Sequence, residues 1–186
     1  MRVRFAAILC MIVLLSGCDG SRNSLNRAVS LRNRVLNSNG CSFRTTVTAD
    51  YGEQIYVFKM DCKTDREGKL SFTVAEPSTI AGITGNISGS GGQITFDDKV
   101  LAFQTIADGL VTPVTAPWLF MKTLRSGYLK AAAETEEGFE ISIDDSYCEE
   151  SLQLRICTVG DMPSSAEIFW QGRRILTLIV EDFTYL

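Results

Sequence analysis

Residues 41–62 read CSFRTTVTADYGEQIYVFKMDC, with polar and apolar side chains alternating and β-branched residues frequent. Successive side chains on a strand point to opposite faces, so this pattern specifies two strands, each with one dry and one wet face. Tyr51-Gly52 is the turn signal between them. Placing Asp50 opposite Glu53 sets Ala49 against Gln54, Val47 against Tyr56, Thr45 against Phe58 and Phe43 against Met60. The next pair on that face is Cys41 with Cys62, and Ser42, Arg44, Lys59 and Asp61 share the other face. A one-sided antiparallel sheet requires this division, and its apolar face must then be covered. The same pairing predicts a Cys41–Cys62 disulfide closing a loop of about 20 residues, stabilising by about 3 kcal/mol on a chain-entropy basis. Two free thiols are the alternative.

The strand pattern continues. Leu70, Phe72 and Val74 alternate on a third strand, which Pro77 ends. GNISGSGGQ, residues 85–93, lies between Ile83 and the strand signal Ile94, Phe96. It lacks the Gly-Lys-Ser/Thr ending and the following helix of a phosphate loop, so it reads as a hairpin tip. Asp97-Asp98-Lys99 makes another turn before Val100, Leu101 and Phe103. Further on, Phe139, Ile141 and Ile143 alternate, as do Leu152, Leu154 and Ile156. AEIFWQGRRILTLIVEDF, residues 166–183, reads as a hairpin about Gln171-Gly172. Residues 175–180 are apolar at nearly every position, which predicts a central strand covered on both faces. Cys148 and Cys157 flank residues 149–156 and offer a second disulfide, without a turn signal midway between them.

Two stretches carry helical spacing instead. Leu25, Ala28, Val29, Leu31, Val35 and Leu36 recur at three- and four-residue steps before the stop signal Asn39-Gly40. After a loop holding Pro113, Thr115 or Ala116 caps a second helix starting at Pro117, with Trp118, Leu119, Met121, Leu124 and Tyr128 along it and Gly127 weakening its end.

The chain opens with Arg2 and Arg4, then an apolar run of 11 residues from Phe5 to Leu15. A membrane-crossing helix needs about 20 apolar residues, so this run is too short to span. A basic start, a short apolar centre and small residues before a cut describe a secretory signal, residues 1–17. Leu15-Ser16-Gly17-Cys18 resembles the bacterial lipobox. That resemblance implies a diacylglyceryl group, with palmitate-type chains, on Cys18 as the first mature residue. Two acyl chains anchor stably where one does not. An ordinary signal peptide in which Cys18 is incidental is the alternative. Residues 18–24 then form a lipidated polar tether, and residues 25–186 one domain, with no internal repeat.

Composition narrows the function classes. Loss of residues 1–17 from the 186 leaves 169, with 16 basic and 22 acidic residues and a net charge of −6. That argues against nucleic acid as a partner and against adsorption to anionic lipid by charge. The chain has no histidine, which excludes Ser–His and Cys–His nucleophiles and every His-ligated metal site. No cofactor is expected. Asp97-Asp98 does not make an acid–base site, because neighbours on a strand point to opposite faces. Cys10 leaves with the signal, and an even set of Cys41, Cys62, Cys148 and Cys157 remains, without zinc spacing.

The order of helix, strands, apolar helix and strands resembles the LolA-like lipoprotein-carrier group, which includes LolB- and RseB-like proteins. The closing MPSSAEIFWQGRRILTLIVEDF carries that resemblance through Pro163, Ala166 to Trp170, Gly172-Arg173 and Ile175 to Phe183. FTVAEPSTIAGITG, residues 72–85, is also similar to clostridial germination lipoproteins. The resemblance implies an α+β fold: a single antiparallel curved sheet, an incomplete β-barrel, with helices against its concave face. It implies a non-catalytic lipoprotein on the extracytoplasmic face of the cell membrane that binds a lipid, acyl chain or lipidated peptide. Phe43, Tyr56, Phe58, Met60, Phe72 and Val74 would line the pocket, closed by Trp118, Leu119, Phe120 and Leu124. The bland alternative is that these residues fill the core. The competing function is an envelope module that binds a protein partner, such as a regulator of a cell-wall enzyme or germination factor. It would present a sheet edge, or the acidic surface of Glu134, Glu136, Glu137, Asp144, Asp145, Glu149 and Glu150.

Overall fold

The structure, a computed structural model, describes residues 19–50, 52, 54–88, 111–148 and 150–186. The expected signal segment and Cys18, the turn residue Tyr51, the strand and turn signals of residues 94–103 and Glu149 lie outside the described residues. Helix α1 spans Asp19–Asn37. Strands β1 (Gly40–Asp50), β2 (Ile55–Asp65), β3 (Leu70–Glu76) and β4 (Thr84–Ile87) follow. Then come a single 3-10 turn at Pro113–Thr115 and helix α2 (Ala116–Ser126). Strands β5 (Tyr128–Glu134), β6 (Phe139–Asp144), β7 (Gln153–Val159), β8 (Met162–Trp170) and β9 (Arg173–Tyr185) complete the chain.

All nine strands form one antiparallel sheet in the order β4-β3-β2-β1-β9-β8-β7-β6-β5. Among the described residues the sheet does not close, β4 and β5 being its outermost strands, and both helices cover one face. This is the α+β class with a single antiparallel sheet that the resemblance implies. Two meanders, β1 to β4 and β5 to β9, meet where β1 pairs with β9. The covered face carries Phe43, Val47, Met60, Phe72, Ile141, Ile156, Ile168 and Leu178, all buried.

The β1–β2 hairpin differs from the expected register in an instructive way. Asp50 pairs with Ile55, so the connection has four residues instead of two. The Asp50 carboxylate accepts the Gly52 N–H at 2.7 Å, and Gly52 sits at φ 89°, which favours glycine. The wider turn slides the register by two residues, and a slip by two leaves every side chain on its expected face. It does move the partners. Cys41 now faces Thr64, and Cys62 faces Phe43. The Thr64 hydroxyl accepts the Cys41 N–H at 2.9 Å, so a threonine holds the position expected for the second half-cystine. The expected Cys41–Cys62 disulfide is therefore corrected: both thiols are free. Cys148 and Cys157 are free too, with Cys148 exposed in a loop and Cys157 on β7 between Glu140 and Ser165.

Other elements depart from expectation for equally local reasons. Helix α1 begins six residues before Leu25, so the polar lead is its first turns. Its apolar positions divide into two stripes. Ala28, Leu31 and Val35 are buried with Ser24, whose hydroxyl donates to the Ala132 carbonyl at 3.1 Å, while Leu25, Val29 and Leu36 stay exposed. Helix α2 stops at Ser126, and Tyr128 already belongs to β5. A Cβ on Gly127 would lie 2.6 Å from the side chains of both Ile143 and Thr123, so glycine permits this tight helix-to-strand passage. The segment from Gly85 to Ile87 is strand, not hairpin tip. The Gln171-Gly172 hairpin has the expected two-residue turn, with φ 48° and 78°. Strand β9 is the middle strand, yet its second face is not covered, since Ile179 is 55% exposed.

Gly40 carries a sharp constraint. Its φ is +146°, and a Cβ there would sit 2.0 Å from the Thr64 carbonyl oxygen. Gly40→Ala is expected to destabilise by about 3 kcal/mol or more through backbone strain and loss of β1–β2 pairing. Urea unfolding should show a lowered midpoint at unchanged slope. Gly82→Ala is the control for positive φ without a close neighbour, and should cost clearly less.

Candidate functional site

The apolar face of β1, β2 and β3 and the buried face of α2 together form the candidate site. Strand parity points Phe43, Phe58, Met60, Phe72 and Val74 to that face, and each is buried. The spacing of α2 points Leu119, Phe120 and Leu124 inward, also buried, while Trp118 is half-buried at the margin. Thr112 sets where the approach to this helix begins, since its hydroxyl and the Thr115 side chain cap the 3-10 turn reciprocally.

Side chains from three elements meet at Phe43. Its ring stacks on Phe183 of β9 at 5.8 Å between centroids and meets the edge of Phe120 at 5.8 Å. Phe183 in turn meets Tyr185 edge-on at 5.5 Å. Phe183 had no place in the expected lining, although its position at the end of the last apolar strand was visible. Nine of the ten expected residues thus lie on the expected face or at its margin. Tyr56 does not: it is 43% exposed near the hairpin tip, because the widened turn lifts the start of β2 beyond the covered part of the sheet. Ile55 at 67% and Val57 at 54% flank it, so three consecutive apolar residues stand in solvent.

Three residues of the acidic surface are tied up within the chain. Glu134 bonds Arg27 at 2.7 Å, Asp144 pairs with Lys130 at 3.1 Å, and Asp145 lies 3.9 Å from Lys122 while accepting the Leu152 N–H. Glu136, Glu137 and Glu150 are exposed. Arg27 also reaches Asp161 at 3.0 Å and lies 4.6 Å from the Phe139 ring centroid, clamping α1 to both sides of the β5–β8 end.

Burial pushes the Cys62 thiol far up, with the Asp61 charge adding to the effect. Burial also raises Cys41, partly offset by hydrogen bonds from Ser38 and Thr64 and by the Arg125 charge. Cys157 rises through burial as well. None of these environments creates the low-pKa thiolate that a nucleophile or metal ligand needs. Among the described residues, no three or more His, Cys, Asp or Glu side chains are grouped to hold a metal ion, and no helix is long and apolar enough to cross a membrane.

No family model and no curated protein matches the chain. Solved structures do. A LolA superfamily protein from Nitrosomonas europaea is 9% identical over 86% of this chain and 93% of that one, with a TM-score of 0.39. A putative outer membrane lipoprotein-sorting protein domain from Vibrio parahaemolyticus is 7% identical over 88% and 92%, with a TM-score of 0.39. The MucA/MucB complex of Pseudomonas aeruginosa matches at 12% identity over 84% of this chain and 56% of that one, with a TM-score of 0.37. No residue role passes through identities this low, and the architecture rests on the sheet order and register given above.

Thiol reactivity follows from this geometry. With a maleimide at neutral pH, exposed Cys148 is expected to react first and Cys157 more slowly, while Cys41 and Cys62 react only on unfolding. Peptide mapping of the alkylated sites checks the order. The raised folded-state pKa values also set a pH dependence. Below about pH 8.5 the thiols are neutral in both states and the contribution is fully present. As pH rises past that value the unfolded chain sheds protons first, so stability falls; the melting temperature should drop on the alkaline side. A Cys62→Ala variant should show a shallower drop.

Proposed function

We propose that this chain is an extracytoplasmic lipoprotein, anchored to the membrane through diacylated Cys18, that binds an apolar ligand against its concave face without catalysing a reaction. The ligand class is a lipid, an acyl chain or a lipidated peptide. The observation that carries the reading is the meeting of Phe43, Phe120 and Phe183 beneath a sheet whose described strands do not close. One face of β1 to β3 is largely apolar, and α2 reaches it through the Phe120 contact with Phe43. An apolar guest entering between them gains about 25 cal/mol for each Å² removed from water. Met60, an adaptable thioether, and the half-buried Trp118 at the margin support a face that can repack around a guest. The lipobox residues and the signal-like start support the anchoring part.

A second reading has its own support. Ile55, Tyr56 and Val57 stand exposed in a row on the β1–β2 tip. Single exposed apolar residues are ordinary, but three together at a projecting tip fit a protein-partner contact in the envelope.

Two measurements separate these readings. Intact mass of the protein purified from bacterial membranes should show acyl mass on Cys18, lost in Cys18→Ser together with pelleting. Native mass spectrometry of the same sample should show co-purified lipid at one per chain, reduced by Phe120→Trp, which adds volume to the helix face. Acyl mass without any bound lipid overturns the ligand reading and leaves the anchor. Loss of a repeated crosslinked partner in Tyr56→Ser cells would favour the second reading.

A further inference from the structure

The uncovered face of the sheet carries a groove of about 430 Å³ over β5, β6, β7 and β8, opposite in position to the apolar site and independent of it. Lys130, Ser142, Asp144, Gln153, Arg155 and Phe169 line it. Irregular register frames it on both sides: one shift falls between Leu129 and Ala131 on β5, the other between Ile168 and Phe169 on β8. Such bulges re-aim side chains and bend strands, and these two lie beside the groove.

Asp144 is the informative residue. Its side chain is only 13% exposed, and one carboxylate oxygen, Oδ2, is held by Lys130 at 3.1 Å. The other, Oδ1, is buried and has no hydrogen-bond partner. A buried carboxylate oxygen without a donor is uncommon and marks Asp144 as an unusual position in this sheet. The charges around the groove balance. Lys130 answers Asp144, while Arg155 lies between Glu140 at 3.5 Å and Glu167 at 3.4 Å, and Arg174 meets Glu167 at 2.6 Å. Of the charged lining residues Lys130 and Arg155 stand against Asp144, and neighbouring Glu140, Glu167 and Arg174 bring the wider set to three cations and three carboxylates, so no strong net charge faces an ion of either sign. Arg155 is held between its two acids with its guanidinium 5.1 Å from the Phe169 ring centroid, which fixes both side chains.

A carboxylate acceptor, an amide, a hydroxyl, braced cations and an aromatic ring in one charge-balanced groove suit a neutral ligand rich in hydroxyls. Each ligand hydroxyl can donate to Asp144 and accept from Gln153 or Arg155, and the C–H face of a pyranose ring can lie against Phe169. We propose that this groove binds a neutral saccharide unit. This goes beyond the proposed apolar site, uses none of its residues and does not depend on Cys18.

The test is amide NMR titration of the full chain with methyl β-glucoside and N-acetylglucosamine, using lysine and glutamate as charged comparisons. The expected result is shifts confined to residues of β5 to β8 around the groove, with a dissociation constant on the order of 1 mM for at least one sugar. Asp144→Asn and Phe169→Ala should each weaken it by about tenfold, while Ile179→Ala, on the same face outside the groove, leaves it unchanged. Gln153→Ala, at an exposed position, supplies a third reading if either core-proximal variant melts early. No shift with either sugar at about ten times that concentration overturns the proposal. So do equal shifts with lysine or glutamate, and sugar binding that all three groove variants leave intact.

Discussion

Pairing of β1 with β9 holds the two halves of this chain together. Each half is a meander whose strands pair with near neighbours in sequence, and neither closes on itself. The join brings residues 127 to 144 apart into register, from Ala49 with Leu176 to Cys41 with Tyr185. It extends past the strands, since the Asn39 N–H donates to the Leu186 carbonyl and the Leu186 N–H to the Gly40 carbonyl, both at 2.9 Å. The join also contains a bulge. Between Arg44 and Ser42 the β9 strand supplies an extra residue, and Asp182 sits there at φ 53°, a left-handed value that aspartate tolerates. Parity inverts at that point. Leu176, Leu178 and Val180 point inward, and without the extra residue Asp182 would follow them into the core. With it, Phe183 points inward and stacks on Phe43, while Asp182 lies 3.5 Å from Arg44 in solvent. The aromatic contact at the candidate site is thus a product of one inserted residue in the joining strand.

The helices depend on the sheet more than on themselves. Helix α1 carries four arginines against one aspartate, on a chain whose net charge is −4. Two of these, Arg27 and Arg34, are spent on Glu134 and Asp161, and Arg32 donates to the Leu124 and Gly127 carbonyls at 2.8 Å, the end of α2. Those carbonyls are the ones a helix leaves unsatisfied at its C-terminus, and a cation there is favoured by the dipole as well. One helix therefore finishes the other. Exposed ion pairs contribute little singly, but a shared Asp161 between Arg27 and Arg34 orders several side chains at once.

Much of this architecture was legible in the amino-acid pattern, because a period of two survives small errors. The expected β1–β2 register was off by two, yet Phe43, Phe58 and Met60 fell on the correct face, since only an odd slip inverts it. The Gln171-Gly172 turn was legible because two-residue hairpins demand residues that accept positive φ. What was lost follows from weaker local signals. Strand β5 reads Tyr-Leu-Lys-Ala-Ala-Ala-Glu, whose alanines favour helix, and only pairing with β6 makes it a strand. The early start of α1 was hidden because its first turns lack apolar residues until Leu25. The Asp182 bulge and the groove around Asp144 depend on strand partners far away in sequence, which no periodicity reports.

The free Cys41 thiol has a physical counterpart elsewhere in the sheet. At the base of the β1–β2 hairpin, Gly40 precedes Cys41, whose N–H donates to the Thr64 hydroxyl at 2.9 Å, and that hydroxyl donates back to the Cys41 carbonyl at 3.4 Å. At the base of β6–β7, Gly138 precedes Phe139, whose N–H donates to the Thr158 hydroxyl at 2.9 Å, which donates back to the Phe139 carbonyl at 3.0 Å. In both places a Cβ on the glycine would collide with the threonine carbonyl oxygen, at 2.0 Å and 2.4 Å. Each threonine is buried on the apolar face, and each would be a costly polar intrusion without these bonds. The device works only if the glycine lets the two backbones approach, and then it fixes the hairpin's open end. A disulfide between Cys41 and Cys62 would close the same end by a covalent route. It would also require the register in which Thr64 loses Cys41 as its partner. The two solutions are mutually exclusive at the first hairpin, and the glycine–threonine arrangement recurs at the second.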